Sequence, residues 1–221
     1  MENNEQCLIE QTKKMRVKGT GPSRRELAVY KQLATVTADE LDYLVSLGKN
    51  NTGNDLGSDA YNISKHCHYL EVFNANENYR QILLQRRDPE VHGSDVDEYL
   101  YTEWADADLV KNLPTLAKIF RHVYRFRISV MKGHHELNWH IDTDPSVICR
   151  AQICLTPTRS VFEFKTKTDE HSLIMQPGEM YFINTGWSHR VVNHDDQERM
   201  VAIFGFHFDD LDPEIAKSLR A

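Results

Sequence analysis

The chain has 221 residues, 40% of them hydrophobic and 27% charged, with a formal net charge of −7. That length suits one domain with a full core, and the acidic balance argues against broad nucleic-acid binding, because a phosphate backbone selects a basic surface. No apolar run approaches the ~18–20 residues that span a bilayer, and the polar start Met1-Glu2-Asn3-Asn4-Glu5-Gln6 is unlike a signal peptide, so a cytoplasmic protein with no membrane partner is expected.

Residues 1–35 mix charge runs with Gly19 and Gly21-Pro22 and predict a loose arm or an edge strand. Thr37-Ala38-Asp39-Glu40 has the form of a capping box, and Leu41, Leu44, Val45 and Leu47 follow at helical spacing, predicting a helix over about 38–48. Asn50 to Asp59 reads as a loop. Tyr79 to Arg86 reads as helical, broken by Asp88-Pro89. The acidic run from Asp95 to Asp108 reads as solvated surface. Four cysteines (Cys7, Cys67, Cys149, Cys154) form no CxxC and are expected to be reduced. His66-x-His68 has ligand spacing but no nearby carboxylate, and is read as structural.

From Leu113-Pro114 a short helix is predicted, with proline in the tolerated first turn and Leu116, Ile119 and Phe120 as its apolar face. The period then changes to two. Tyr124, Phe126, Ile128 and Val130 alternate with Arg125, Arg127, Ser129 and Met131. Further strands are predicted at Val147 to Leu155, Val161 to Lys165, Ser172 to Met175, Glu179 to Ile183, His189 to Asn193 and Met200 to Phe208. Many short strands separated by turn signals predict a mainly β protein with flanking helices and a double-sheet jelly-roll core. The expected organisation is an N-terminal mixed or helical region, 1–110, packing on a catalytic core, 111–221, within one compact domain.

The chemistry concentrates in Leu137-Asn138-Trp139-His140-Ile141-Asp142. On extended backbone, His140 and Asp142 leave the same face. A second imidazole comes at His189, after Trp187, and Arg199 follows ten residues later. Two histidines and a carboxylate on one side of a metal form the facial triad of non-haem Fe(II) oxygenases. The planar fork of an arginine suits the far carboxylate of a dicarboxylic co-substrate. By strand parity Arg150 pairs with Gln152 and Arg199 with Val201 and Ile203, while Arg125, Arg127 and Ser129 share one polar face. Burying that many polar groups without a ligand would be costly. Arg125 and Arg127 are read equally as clamps for a substrate carboxylate or as rim residues, and Trp187 as packing or as an aromatic beside the substrate.

These residues resemble the aspartyl/asparaginyl β-hydroxylase superfamily, which includes bacterial proline hydroxylases. The resemblance lies in Ser129 eleven before His140, the Lys132-Gly133 turn, Arg150-x-Gln152, Pro177-Gly178-Glu179-Met180-Tyr181-Phe182, and His189 with Arg199. It covers about residues 124–208. It implies a double-stranded β-helix, the cupin-like jelly roll, carrying an Fe(II)- and 2-oxoglutarate-dependent dioxygenase that hydroxylates an amino acid, or an Asp-, Asn- or Pro-type residue in a peptide or protein. His140, Asp142 and His189 would be iron ligands, Arg199 and Ser129 would hold the distal carboxylate of 2-oxoglutarate, and Arg150 would sit near its metal-side end. Asp142 departs from the animal aspartyl hydroxylases, which lack that ligand, and sides with the proline hydroxylases. Arg150 lies one residue further from the first ligand than in the aspartyl enzymes. Two other readings stay open: a cupin-like hydrolase or isomerase in which Arg199 binds substrate, and a non-catalytic jelly-roll binding protein.

Overall fold

A computed structural model describes residues 20–50, 78–87, 97–105, 108–157 and 159–221. The loop over 51–59, His66-x-His68, Asp88-Pro89, Cys7, Cys67 and most of the N-terminal arm lie outside the described residues. Two antiparallel sheets face each other. The major sheet has the order β1 (Tyr30–Thr35), β10 (Glu179–Ile183), β7 (Cys149–Cys154), β12 (Arg199–Phe206), β5 (Tyr124–Met131), β2 (Tyr79–Leu83). The minor sheet runs β6 (Glu136–His140), β11 (Ser188–Val192), β8 (Val161–Lys165), β9 (Glu170–Leu173). From β5 onward the chain alternates between the sheets, apart from the β8–β9 hairpin within the minor sheet, in the manner of a double-stranded β-helix, the cupin-like jelly roll. A small ribbon of β3 (Gln85–Arg87) and β4 (Tyr101–Trp104) lies beside β5.

The central strands of the major sheet, β5, β7 and β12, are buried on both faces, and parity explains how. Phe126, Ile128 and Val130 of β5 join Ala151, Ile153, Ala202, Phe204 and Phe206 in the large apolar core on one face. Against this face pack α1 (Ala38–Asn50) and α3 (Pro114–Ile119), with the four-residue helix α2 (Asp108–Lys111) before it. The opposite face looks toward the minor sheet. Met131, Cys154 and Ile183 meet Phe162, Phe164 and Val191 there and close one end of the space between the sheets. The C-terminal helix α4 (Pro213–Ser218) starts on Asp212, whose carboxylate accepts from Glu214 N at 3.0 Å.

The capping box forms as its sequence predicts. Thr37 N donates to Glu40 Oε2 at 2.8 Å, and Glu40 N donates to Thr37 Oγ1 at 3.2 Å. Glu40 also accepts from Thr115 N at 2.7 Å and Thr115 Oγ1 at 2.6 Å, so one buried carboxylate caps both α1 and α3. Cys149 and Cys154 are free, buried thiols.

Two expectations are corrected. Tyr79 to Arg86 is not helical: Tyr79–Leu83 is a sheet strand in register with β5, Tyr79 opposite Met131 and Leu83 opposite Arg127. Its open backbone groups are satisfied by the exposed edge of β5, a partner that local periodicity does not register. The acidic run is not uniformly solvated either, since Glu98, Tyr99, Leu100 and Tyr101 are buried. The N-terminal region thus contributes β1 and β2, the two outermost strands of the major sheet.

Candidate metal centre and anion-binding cavity

β6 and β11 pair antiparallel with His140 directly opposite His189. Cross-strand neighbours lie about 4.5–5.5 Å apart at Cβ, and here the two imidazole centroids are 4.2 Å apart. Each ring is oriented by the backbone two residues before it. His140 Nδ1 donates to Asn138 O at 2.6 Å, and His189 Nδ1 donates to Trp187 O at 2.9 Å. A carbonyl only accepts, so both Nδ1 atoms carry hydrogen and both Nε2 lone pairs are left for a metal. The strand ends at His140; beyond it Ile141 is 59% exposed and Asp142 N donates to Thr185 O at 3.0 Å. One ligand atom from each of His140, Asp142 and His189 lies within 4.8 Å of the others.

His189 is held by more than its strand. Arg24 Nη1 donates to Gly186 O at 2.5 Å, and Asn184 Nδ2 donates to Arg24 O and Ala28 O at 3.0 and 3.1 Å. The segment before β1 therefore braces the turn that leads into β11. Burial pushes the His189 imidazole below its ordinary value and the neighbouring His140 adds to this, against the opposing Trp187 bond. Neutral imidazole is the ligand form.

The triad opens onto a cavity of about 400 Å³ between the sheets. Arg125, Arg127, Arg150 and Arg199 line it, while Asp142 is the one acid among its described lining residues. Arg199 is buried and donates from Nη2 to Gln152 Oε1 at 3.2 Å. No described carboxylate pairs with it, and burial pushes its guanidinium below the ordinary arginine value. Glu98 accepts from Arg150 and from Arg125, the latter at 3.3 Å, while Asp142 Oδ2 lies 3.8 Å from Arg150 Nε. Burial opposes ionisation of Glu98, but Arg150, Arg127 and Arg125 outweigh it and hold its carboxyl below the usual range. Arg127 receives less. Its Nη1 donates to Arg125 O at 3.2 Å, its Nε is buried without a partner, and burial followed by the charges of Arg125 and Arg150 pushes it down to about 9.

Two backbone features make room for this cluster. Arg125 stands at φ 51°, a left-handed conformation that costs a non-glycine residue about 1 kcal/mol or more. At Gly205, where β12 shifts register, an added Cβ would lie 2.5 Å from Ile148 Cδ1 and 3.3 Å from Glu98 Oε2.

Most residues singled out from sequence meet here. His140, Asp142, His189, Arg199, Arg150, Arg127 and Arg125 all line the one cavity. Ser129 and Trp187 do not. The Ser129 hydroxyl donates to the Tyr79 hydroxyl, so Tyr79 stands between it and the cavity it lines. Trp187 lies outside the cavity lining, with the Arg24 guanidinium 5.0 Å over its ring. Tyr79, Gln81 and Glu98 were not singled out. The first two sit on the strand read as a helix. For Glu98 the only sequence signal is its place in Glu98-Tyr99-Leu100-Tyr101, an apolar stretch inside an acidic run.

Fold and cluster together define a jelly-roll protein with a candidate metal centre. A family model described as aspartyl/asparaginyl beta-hydroxylase matches residues 83–207, more than half of the sequence, and the chain belongs to that family of hydroxylases. No curated protein matches the sequence. Among solved structures, a non-heme monooxygenase, ThoJ, in complex with nickel is similar over 84% of this chain and 75% of its own, at 13% identity and a TM-score of 0.47. An oxidoreductase of the 2OG-Fe(II) oxygenase family from Burkholderia pseudomallei is similar over 38% of this chain, at 17% identity and a TM-score of 0.33. The chain spans only 41% of that oxygenase. A cupin domain from Bordetella pertussis Tohama I is similar over 37% of this chain and 78% of its own, at 17% identity and a TM-score of 0.30.

Proposed function

We propose that the protein is an Fe(II)- and 2-oxoglutarate-dependent dioxygenase that hydroxylates an amino acid, or an Asp-, Asn- or Pro-type residue of a peptide or protein. The observation that carries this is the pairing, in one cavity, of a His–Asp–His ligand set within 4.8 Å with a buried arginine that has no described carboxylate partner. The donor set fits the metal: two imidazole nitrogens and one carboxylate oxygen from one side suit Fe(II) and leave coordination positions open. When bound, iron would supply the redox chemistry by which dioxygen oxidises 2-oxoglutarate to succinate and carbon dioxide, one oxygen atom entering succinate and the other turning a substrate C–H bond into C–OH.

The chain's own residues do the positioning. His140, Asp142 and His189 would hold the metal, with the Asn138 and Trp187 carbonyls fixing both rings. Arg199, steadied by Gln152, receives the distal carboxylate of 2-oxoglutarate. The Tyr79 hydroxyl joins it from β2, and Ser129 acts through Tyr79. Arg150 sets the Asp142 carboxylate from behind. Phe162, stacked near His189 with ring centroids 5.5 Å apart, and Val191 keep the floor dry, which strengthens every charge interaction above it.

Anaerobic titration with Fe(II) and then 2-oxoglutarate tests the reading. A visible metal-to-ligand charge-transfer band is expected in the wild type and none in His189→Ala. Absence of both the band and substrate-independent succinate release in the wild type would sink it.

A further inference from the structure

The loop that carries Asp142 and the turn that leads into His189 meet a third segment at one junction. Asp142 N donates to Thr185 O at 3.0 Å, so the loop and the turn touch directly. Against both lies the strap that enters β1, over residues 20–28. Gly21 N donates to Ser146 O at 2.9 Å, and Asn184 Nδ2 donates to the carbonyls of Arg24 and Ala28 at 3.0 and 3.1 Å. Two glycines permit this approach. A Cβ at Gly186 would lie 2.8 Å from Pro145 Cδ and 3.1 Å from Arg24 Cβ, and one at Gly21 would lie 3.2 Å from both Pro145 O and Ser146 O.

Arg24 is the side chain common to all three segments. Its Nη1 donates to Gly186 O across 162 residues of sequence, its Nε lies 3.9 Å from Asp144 Oδ2, and its guanidinium covers the Trp187 ring at 5.0 Å. The ion pair is 33% and 35% exposed on its two sides, where solvent screening leaves such a pair little energy, so charge is not what Arg24 contributes. It contributes shape. A planar guanidinium lies on an indole face while donating in its own plane to a carbonyl, which an ammonium does not do. Trp187 is thus held by its ring and by the peptide before it, and the peptide after it orients the imidazole, since Trp187 O accepts from His189 Nδ1 at 2.9 Å.

We propose that Arg24 and Trp187 form a clasp that sets the metal centre from the strap: it fixes the carbonyl that orients His189 and ties that turn to the loop bearing Asp142. Both are positioning residues, and neither lines the cavity. The held carbonyl keeps hydrogen on Nδ1 and leaves the lone pair on Nε2, the form a metal takes. Without the clasp the Gly186 turn is free to swing, the ring loses its fixed acceptor, and metal affinity falls. This rests on the proposed function only for the naming of His189 and Asp142 as ligands.

Two measurements on the full-length protein test it. The first is titration of metal-free protein with Co(II), whose visible bands report binding, against a competing chelator. Arg24→Ala and Trp187→Leu are each expected to weaken Co(II) about tenfold, the lower end for loss of a group that orients a ligand. Arg24→Lys should stay close to Arg24→Ala, since it keeps the charge and loses the plane, whereas Trp187→Phe should recover part of the affinity because it keeps a ring face. Combining Arg24→Ala with Trp187→Leu should cost no more than either alone, because both break one clasp. Arg220→Ala removes a guanidinium 5.4 Å over Phe208, beside the same strap at the Leu27–Arg220 bridge, and should leave Co(II) affinity within about twofold. The second measurement needs no metal: nitrogen-15 NMR of the histidine rings at about pH 8, where imidazole is neutral. His189 is expected as the Nδ1–H tautomer in the wild type and as a mixture with Nε2–H in Arg24→Ala. Wild-type Co(II) affinity in Arg24→Ala would overturn the clasp, as would an equal loss in Arg220→Ala or a His189 tautomer that Arg24→Ala leaves unmoved. If the wild type itself binds no Co(II), the ligand assignment fails, and the NMR comparison alone decides the clasp.

Discussion

The two histidines proposed as metal ligands differ in surroundings although they face each other. His189 is 2% exposed and His140 is exposed at the cavity mouth. His189→Ala and Asp142→Ala are each expected to abolish stoichiometric Fe(II) binding while the far-ultraviolet circular dichroism stays that of the wild type. His140→Ala should do the same, and retention of one tightly bound metal in any of the three would remove that residue from the ligand set. Arg199 gives a sharper expectation. Lysine keeps the charge and loses the fork, so Arg199→Lys should weaken 2-oxoglutarate binding about tenfold or more, given ~1.5–3 kcal/mol for a charge-assisted bond. Unchanged affinity would place the co-substrate elsewhere.

At the scale of elements, α1 and α3 are joined by a single side chain. Glu40 is 2% exposed and accepts from the backbone of Thr37 and Thr115 and from the Thr115 hydroxyl. Glu40→Ala takes the acceptor from two part-buried backbone donors, so a loss of about 1–3 kcal/mol is expected from urea midpoints. A loss below ~1 kcal/mol would mean that water replaces the carboxylate. The bulged end of β12 behaves differently. Gly205→Ala would push a methyl into Ile148 and toward Glu98, so overpacking of about 1–3 kcal/mol is expected. That variant should also disturb the pairing of Glu98 with Arg150.

Over the whole molecule, two groups tie stability to pH in the same direction. Burial lowers His189 below its unfolded value of about 6.5, so the unfolded chain binds more protons between the two values. Stability of the metal-free protein should therefore be full above pH ~6.5 and fall as the pH drops through the folded value of His189. Glu98 is also depressed, so its contribution is present above its unfolded value of about 4.5 and is lost as the pH falls through its lower folded one. Urea unfolding across this range should show two successive losses. Glu98→Gln should remove the lower one and keep the upper one, and a flat profile from pH 7 to 5 would contradict the His189 assignment. Among the described residues no helix is long and apolar enough to cross a membrane.

The sequence by itself determined the alternation of β5, the strand-and-turn rhythm that follows, the capping box at Thr37 and Glu40, and the His140, Asp142, His189 and Arg199 constellation. Each depends on a short repeat or a fixed spacing that local backbone geometry converts directly into a shared face. Only the tertiary structure decided that Tyr79–Leu83 is a strand, because its identity comes from the open edge of β5 and not from its own periodicity. It also decided that Glu98, in an acidic run that reads as surface, lies buried among three arginines. Burying that carboxylate is favourable only where Arg125 and Arg150 already stand, and they come from two different strands of the sheet. The position of Ser129 behind Tyr79, and of Trp187 beneath Arg24, follows from contacts between segments 50 and 163 residues apart in sequence, which no spacing rule reaches.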